Sequence, residues 1–303
     1  MNQQSRALRG LGTSGFELLA QELSGSELHS VLLAVMQRRA RRRAPREVLA
    51  HYQRDLFCAP SPVDLRTSMA IDLQLLEAAE RFEAIELSPV APLGACSTVA
   101  VTDQNRVLSS LRMTEVVSDP TNVLALECAL RLRANPAAPV HLATAQRVVR
   151  AQPIPKLPGY TQHFRLFALG SGGQEEKEHA FTVATVVRHI ETMGRGLDRL
   201  EQHGYSFGER RVDILATLEK QPVGDRIAQA LGGPTTRAPL DHPYYSGGIR
   251  YKFWVTAPDG AEVPLIDGGS FDWLAQLGSN RRAVYVASGV GAQLIALRFQ
   301  SAR

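Results

Sequence analysis

The chain has 303 residues, of which 44% are hydrophobic and 21% charged, and its formal net charge is +4. These values exclude a disordered or fibrous protein and fit a globular chain with a large core. The polar first residues lack the apolar segment of a signal peptide. No apolar run is long enough to cross a bilayer. We therefore expect a cytoplasmic protein that makes no contact with a membrane.

The first 60 residues are predicted to form a helical N-terminal extension. Ser24 and Glu27 have the spacing of a capping box, and the apolar residues that follow recur at helical spacing. Pro60-Ser61-Pro62 then breaks the chain. We place a domain boundary near this point, with residues 1–60 as the extension and residues 61–303 as the main domain.

The extension carries a cluster of arginines, namely Arg38, Arg39, Arg41, Arg42, Arg43 and Arg46. Such a cluster suits RNA or an acidic partner. It also suits the solvated C-terminal end of a helix, where cations complement the helix dipole. The sequence alone leaves both interpretations open.

The main domain reads as strands interrupted by long helices. Helices are predicted at 71–82, 121–133, 178–202 and 224–231. Strands are predicted at 84–87, 97–102, 106–111, 142–150, 163–169, 211–218, 248–256, 261–265 and 284–287, followed by a terminal helix, or a strand running into one, at 289–298. This pattern predicts an α+β fold with a mainly antiparallel sheet of six to seven strands and helices packed on one face.

The C-terminal third contains several unusual segments in a fixed order. Tyr244-Tyr245-Ser246-Gly247 precedes a predicted hairpin, Asp267-Gly268-Gly269-Ser270-Phe271-Asp272 follows it, and a glycine-rich strand ends the domain. This order resembles the catalytic core of histidyl-tRNA synthetase and of its relative, the regulatory subunit of ATP phosphoribosyltransferase. The resemblance implies the class II aminoacyl-tRNA synthetase fold.

Two further segments resemble parts of that core. The segment 82–89 ends in proline, like the first class II motif, which implies a homodimer formed through the 72–89 region. The segment 111–115, Leu-Arg-Met-Thr-Glu, resembles the strand beside the amino-acid pocket of the histidine branch. By this resemblance Arg112 and Glu115 are candidate ligand-binding residues.

The second class II motif places an arginine on the α-phosphate of ATP and an aromatic ring on adenine. Arg150 and Phe164 match these positions, and Gln152 stands where a glutamate is expected. The guanidinium of Arg150 has the planar fork that suits phosphate. The resemblance therefore implies a nucleotide-binding site made of Arg150, Gln152 and Phe164.

The third motif carries an arginine over the γ-phosphate of ATP, and here that position falls on Ala292. The next basic residue is Arg298, near the end of the sequence. A cation that stabilises the transferring phosphoryl group is among the larger contributions to such chemistry. We therefore expect a pocket that has lost ATP activation.

The paired tyrosines offer hydroxyl groups and apolar rings for a small ligand. Asp267 has the charge to bind an ammonium group, and Gly268 and Gly269 allow close approach of the backbone. These residues, Tyr244, Tyr245, Asp267, Gly268 and Gly269, complete the candidate ligand site. For each of them a purely structural role is the alternative.

Three function hypotheses follow. The first is a class II synthetase paralogue, without the full tRNA-charging machinery, that binds a small amino-acid-like or nucleotide ligand in a regulatory or binding role. The second is a ligase that uses ATP and magnesium to adenylate an amino acid. The third is an RNA-binding module that uses the arginines of 38–46. Enzyme activity is left open, with no catalytic residue assigned. The widely spaced Cys58, Cys96 and Cys128 and the scattered histidines predict no structural metal.

Overall fold

The computed structural model describes residues 3–153, 161–233, 235–240 and 242–301. The α-helices in these ranges are α1 (Gln3–Glu17), α2 (Gly25–Ala40), α3 (Pro45–Tyr52), α4 (Leu65–Ala78), α5 (Pro120–Ala134), α6 (Ala180–Glu201), α7 (Gln221–Leu231), α8 (Trp273–Gly278) and α9 (Ala292–Arg298). The strands are β1 (Glu83–Ala84), β2 (Val90–Pro92), β3 (Ser109–Ser110), β4 (Thr114–Val116), β5 (Val140–Val149), β6 (His163–Gln174), β7 (Arg210–Ala216), β8 (Thr235–Pro239), β9 (Ile249–Thr256), β10 (Glu262–Phe271) and β11 (Ala283–Val290).

The main sheet of the described residues has eight strands in the order β1-β5-β6-β11-β10-β9-β7-β8. Neighbouring strands are antiparallel except at the edges, where β1 is parallel to β5 and β8 is parallel to β7. The predicted α+β class is confirmed, but the sheet is larger than the predicted six to seven strands. Strand β8 was missed because it is a polar, mostly exposed edge strand without an alternating apolar pattern.

Helices cover both faces of this sheet, not the single face predicted. Val286 and Val290 of β11 belong to the core that also contains residues of α4, α6 and α9. Tyr285 and Ala287, which alternate with them, belong to a second core with residues of α5 and α8. Successive side chains of a strand point to opposite faces, so β11 lies between two hydrophobic cores.

The predicted strands at 97–102 and 106–111 are wrong. Residues Ala95–Val99 form a helical turn, and the second segment contributes only the short β3 to a small sheet with β2 and β4. The buried Glu115 carboxylate accepts hydrogen bonds from the backbone N–H groups of Gly94 at 3.0 Å and Cys96 at 2.8 Å. These bonds satisfy the backbone N–H groups at the start of the turn. Their acceptor lies about 20 residues further along the chain, so the local sequence does not predict the turn.

Helices α1–α3 stand apart from both cores, because none of their described side chains is buried. Ser24 and Glu27 form the predicted capping box at the start of α2. The chain then joins the main domain through the Ala59 carbonyl, which accepts from His163 Nε2 at 2.6 Å, and through Ser61, whose hydroxyl donates to Gln293. The division at residue 60 stays a prediction. None of the described helices combines the length and apolar character needed to cross a membrane.

Candidate functional site

A cleft of about 380 Å³ opens on the α5 side of the sheet. Its floor is formed by β6, β10 and β11, and its walls by the first turn of α5, the end of β5 and the tyrosine pair. Six of the residues singled out in the sequence line it, namely Arg150, Gln152, Tyr244, Tyr245, Asp267 and Gly268. Residues far apart in the chain therefore meet in one cavity.

Asp267 organises one end of the cleft. Its carboxylate accepts hydrogen bonds from the Tyr245 hydroxyl at 2.7 Å and from Arg250 Nε and Nη2 at 3.1 and 2.5 Å. The Arg250 guanidinium also lies 4.8 Å from the centre of the Tyr245 ring. Burial, together with the nearby Asp267 carboxylate, raises the pKa of the Tyr245 phenol, which therefore stays protonated and donates. Arg250 was not among the predicted site residues.

Tyr244 packs into an aromatic cluster beneath the cleft. Its ring makes edge contacts with Tyr245, Phe271 and Trp273, at centroid distances of 5.2, 5.5 and 5.7 Å. Such edge-to-face pairs are favourable beyond the area they bury. Burial raises the pKa of the Tyr244 phenol well above its usual value. Tyr244 thus combines a structural role with a place on the cleft wall.

Arg150 also lines the cleft and is held by three groups. Its Nε donates to the Ser118 carbonyl at 3.0 Å, and its Nη2 donates to Asp119 Oδ2 at 3.3 Å. The guanidinium lies 5.1 Å from the centre of the Phe164 ring. Phe164 is not part of the cleft lining. Its ring supports Arg150, which leaves the adenine-stacking role inferred from the resemblance without geometric support.

Three other predicted ligand residues do not line the cleft. Glu115 is buried and bonded to the backbone of the 94–96 turn. Arg112 is exposed in the turn between β3 and β4, with a positive φ of 65°. Gly269 lies under the Tyr245 ring, where an added Cβ would come within 2.6 Å of Tyr245 Cδ1.

Several lining residues were not predicted as site residues, namely Arg106, Asp119, Asn122 and Ser118. Asp119 also caps α5, because its carboxylate accepts from Thr121 N–H at 3.0 Å. The sequence around Arg106 matches no binding motif. Its turn is held at the cleft by a tertiary contact, in which the Arg106 carbonyl accepts from Ala151 N–H. The same fold therefore supplies an arginine that no motif indicates.

The position expected for the third-motif arginine carries no cation. Gly289 and Gly291 line the cleft, and Ala292 is buried at the start of α9. Arg298 forms an ion pair with Asp259 at 2.8 Å and does not line the cleft. The region where β11 meets α9 thus offers backbone but no positive side chain.

The lining of the cleft contains the thiol of Cys96. It includes no histidine among the described residues, so no imidazole is positioned as a general base. Burial raises the pKa of the Cys96 thiol and keeps it protonated. The described residues also contain no group of three or more His, Cys, Asp or Glu side chains arranged for a metal ion.

The fold matches solved class II synthetase-like structures, whereas no family model and no curated protein matches the sequence. Histidyl-tRNA synthetase from S. aureus has 15% identity and a TM-score of 0.57, over 78% of this chain and 66% of that chain. An ATP phosphoribosyltransferase regulatory subunit/histidyl-tRNA synthetase from Bacillus halodurans has 14% identity and a TM-score of 0.56, over 78% and 82%. A histidine–tRNA ligase subunit from Alicyclobacillus acidocaldarius has 12% identity and a TM-score of 0.58, over 79% and 94%. The chain therefore has a class II synthetase-like core fold.

Replacing Gly269 with alanine tests the packing beneath Tyr245. The new Cβ would meet the Ile249 carbonyl and the Tyr245 ring, so we expect a loss of about 1–3 kcal/mol in the free energy of unfolding. Gly278→Ala is the control, because its Cβ meets nothing within 4 Å; we expect a change within about 0.5 kcal/mol. Urea unfolding measures both variants. Equal stability of the two would contradict the assigned packing.

Proposed function

We propose that this chain is a paralogue of the class II synthetases that binds a small amino-acid-like or nucleotide ligand in a regulatory or binding role. The observation that carries the proposal is the cleft itself, which is lined by Arg150, Tyr245 and Asp267 but has no cation where β11 meets α9. The side chains that could recognise a ligand are present, whereas the arginine that would stabilise a transferring phosphoryl group is replaced by Ala292. The structural neighbours named for histidine and ATP suggest L-histidine and ATP as the first probes.

An adenylating ligase that uses ATP and magnesium is the alternative, and the cleft fits it less well. Arg150 retains the guanidinium suited to phosphate, but one of its nitrogens is already bonded to Asp119. The face of Phe164 is covered by Arg150. Position 152 offers a neutral amide where the family has a carboxylate. The residues therefore fit an amino-acid-like or partial nucleotide ligand better than a complete activation site.

Binding is tested by thermal unfolding and calorimetry of the full chain with L-histidine and with ATP. A ligand at about 100 times its Kd stabilises the folded state by about 2.7 kcal/mol. Arg150→Ala should weaken binding of an anionic probe by about tenfold or more, because it removes a charge-assisted hydrogen bond. Arg281→Ala, at an exposed arginine outside the cleft, should not. Failure of both probes to bind the wild type would contradict the proposal, and ATP–pyrophosphate exchange with any amino acid would favour the ligase.

We also propose that the protein forms a homodimer through the 72–89 region and the neighbouring face of α4. Leu65, Met69 and Leu73 recur at helical spacing on α4 and are 53–65% exposed. A groove of about 540 Å³, lined mainly by apolar residues of α4 and the β1 segment, lies beside them. Strand β1 is an edge strand of the sheet. A second copy would cover both the apolar face and this edge.

The dimer proposal predicts that Leu73→Glu yields a monomer, because the carboxylate would be buried without a partner at the interface. Leu218→Glu is the matched control, since Leu218 is 81% exposed and lies outside the 72–89 region. Light scattering after size-exclusion chromatography measures the mass of each protein. A monomeric wild type, or a Leu73→Glu variant that remains dimeric, would contradict the assignment.

Charge distribution supports RNA binding by the N-terminal extension as a second candidate function. Residues 1–60 contain nine arginines and five acidic residues, which accounts for the whole formal net charge of +4. The six arginines of the 38–46 cluster are all exposed. The extension therefore offers a cationic surface attached to a main domain with no net charge.

Neutralising part of this cluster tests the second candidate. The combined change Arg38→Gln, Arg39→Gln, Arg41→Gln and Arg42→Gln should weaken retention of single-stranded RNA and flatten its dependence on salt concentration. Filter binding over a series of salt concentrations gives both quantities. Changing two exposed arginines of the main domain, Arg66→Gln and Arg81→Gln, provides the control. Equal RNA retention by the two variants would remove the proposal.

A further inference from the structure

The charges in and beside the cleft do not cancel. Asp119 is paired with Arg150 at 3.3 Å, and Asp267 is paired with Arg250 at 2.5 Å. Arg106 also lines the cleft, but its guanidinium has no hydrogen-bond or ion-pair partner within the described ranges of the chain. Two ion pairs and one additional cation therefore surround the cavity.

The backbone of Arg106 is held in place from several sides. The Asp103 carboxylate accepts from Asn105 N–H at 2.9 Å and caps the short turn Gln104–Arg106. Gln104 Nε2 donates to Glu115 at 3.0 Å, which anchors the same turn to β4. The Arg106 carbonyl accepts from Ala151 N–H at 2.9 Å, next to Arg150. The unpaired guanidinium thus extends from a fixed point at the edge of the cleft.

A second donor faces the same cavity. Asn122 lines the cleft on the first turn of α5 and is only 2% exposed. Its Oδ1 accepts from the Thr121 hydroxyl at 3.5 Å, whereas its Nδ2 has no acceptor among the residues that the structure describes. An amide nitrogen can donate a hydrogen bond to a carboxylate or phosphoryl oxygen. A ligand oxygen beside Asn122 would give this nitrogen an acceptor.

We propose that Arg106, assisted by Asn122, binds an anionic carboxylate or phosphoryl group of the ligand and so determines its specificity. This inference rests on the proposed function, because it concerns the same cleft. Arg106 differs from Arg150 in that the Arg150 guanidinium is bonded to Asp119, whereas that of Arg106 has no partner in the described part of the chain. Arg106 gives the cavity a positive charge that the segment around Ala292 lacks.

Two pairs of probes test the subsite, each differing by one anionic group: L-histidine with L-histidinol, and AMP with adenosine. Calorimetry of the full chain should show tighter binding of the anionic member in at least one pair. Arg106→Met should reduce this preference by about 10- to 100-fold, the range of a charge-assisted hydrogen bond, and leave affinity for the neutral member unchanged. Arg106→Lys should retain part of the preference. Arg281→Met is the control.

The outcomes separate this inference from the proposed function. A preference confined to L-histidine assigns a carboxylate, and one confined to AMP assigns a phosphoryl group. Equal affinities within both pairs, or an undiminished preference in Arg106→Met, would overturn the subsite and leave ligand binding intact. Failure of the wild type to bind any of the four probes would overturn both.

Discussion

The cleft depends on the contact between Asp267, Arg250 and Tyr245. One carboxylate joins adjacent strands β9 and β10 to the tyrosine pair that precedes them. Because this cluster is only partly buried, its contribution to stability is modest compared with that of a fully buried ion pair. Its effect on shape is larger, since it fixes the Tyr245 ring over Gly269. That ring in turn contacts Tyr244 within the aromatic cluster.

A second acid–arginine pair of the cleft repeats this arrangement with different residues. Arg150 and Asp119 pair, and Asp119 also begins α5, so the helix start and the cleft wall share one side chain. Both acidic side chains of the cleft, Asp119 and Asp267, are thus already paired with an arginine of the protein. Such internally satisfied pairs suit a preorganised site that a ligand enters without rearrangement.

The main features of the fold follow from local patterns. The helices α5 and α6 and the strands β5 and β9 were predicted close to their observed positions because each has a clear periodicity or cap. The structure of segment 94–110 was not predicted, because its helical turn depends on hydrogen bonds to Glu115. Strand β8 was not predicted either, because an exposed edge strand has no alternating apolar pattern. Six of the residues that the sequence singled out line the cleft. Arg106 and Arg250 were missed because only tertiary contacts bring Arg106 to the cleft and Arg250 to Asp267.

Strand β11 has one further consequence, which arises from its position between two cores. A shift of one residue in its pairing would turn Tyr285 and Ala287 towards α6 and turn Val286 and Val290 towards the cleft. Both hydrophobic cores would then be disrupted at once, so the packing on each face of the sheet independently fixes the register of this strand. Insertions and deletions should therefore be tolerated in the surface loops long before they are tolerated here. Diversification of this scaffold is accordingly expected at the rim of the cleft, while its floor stays fixed.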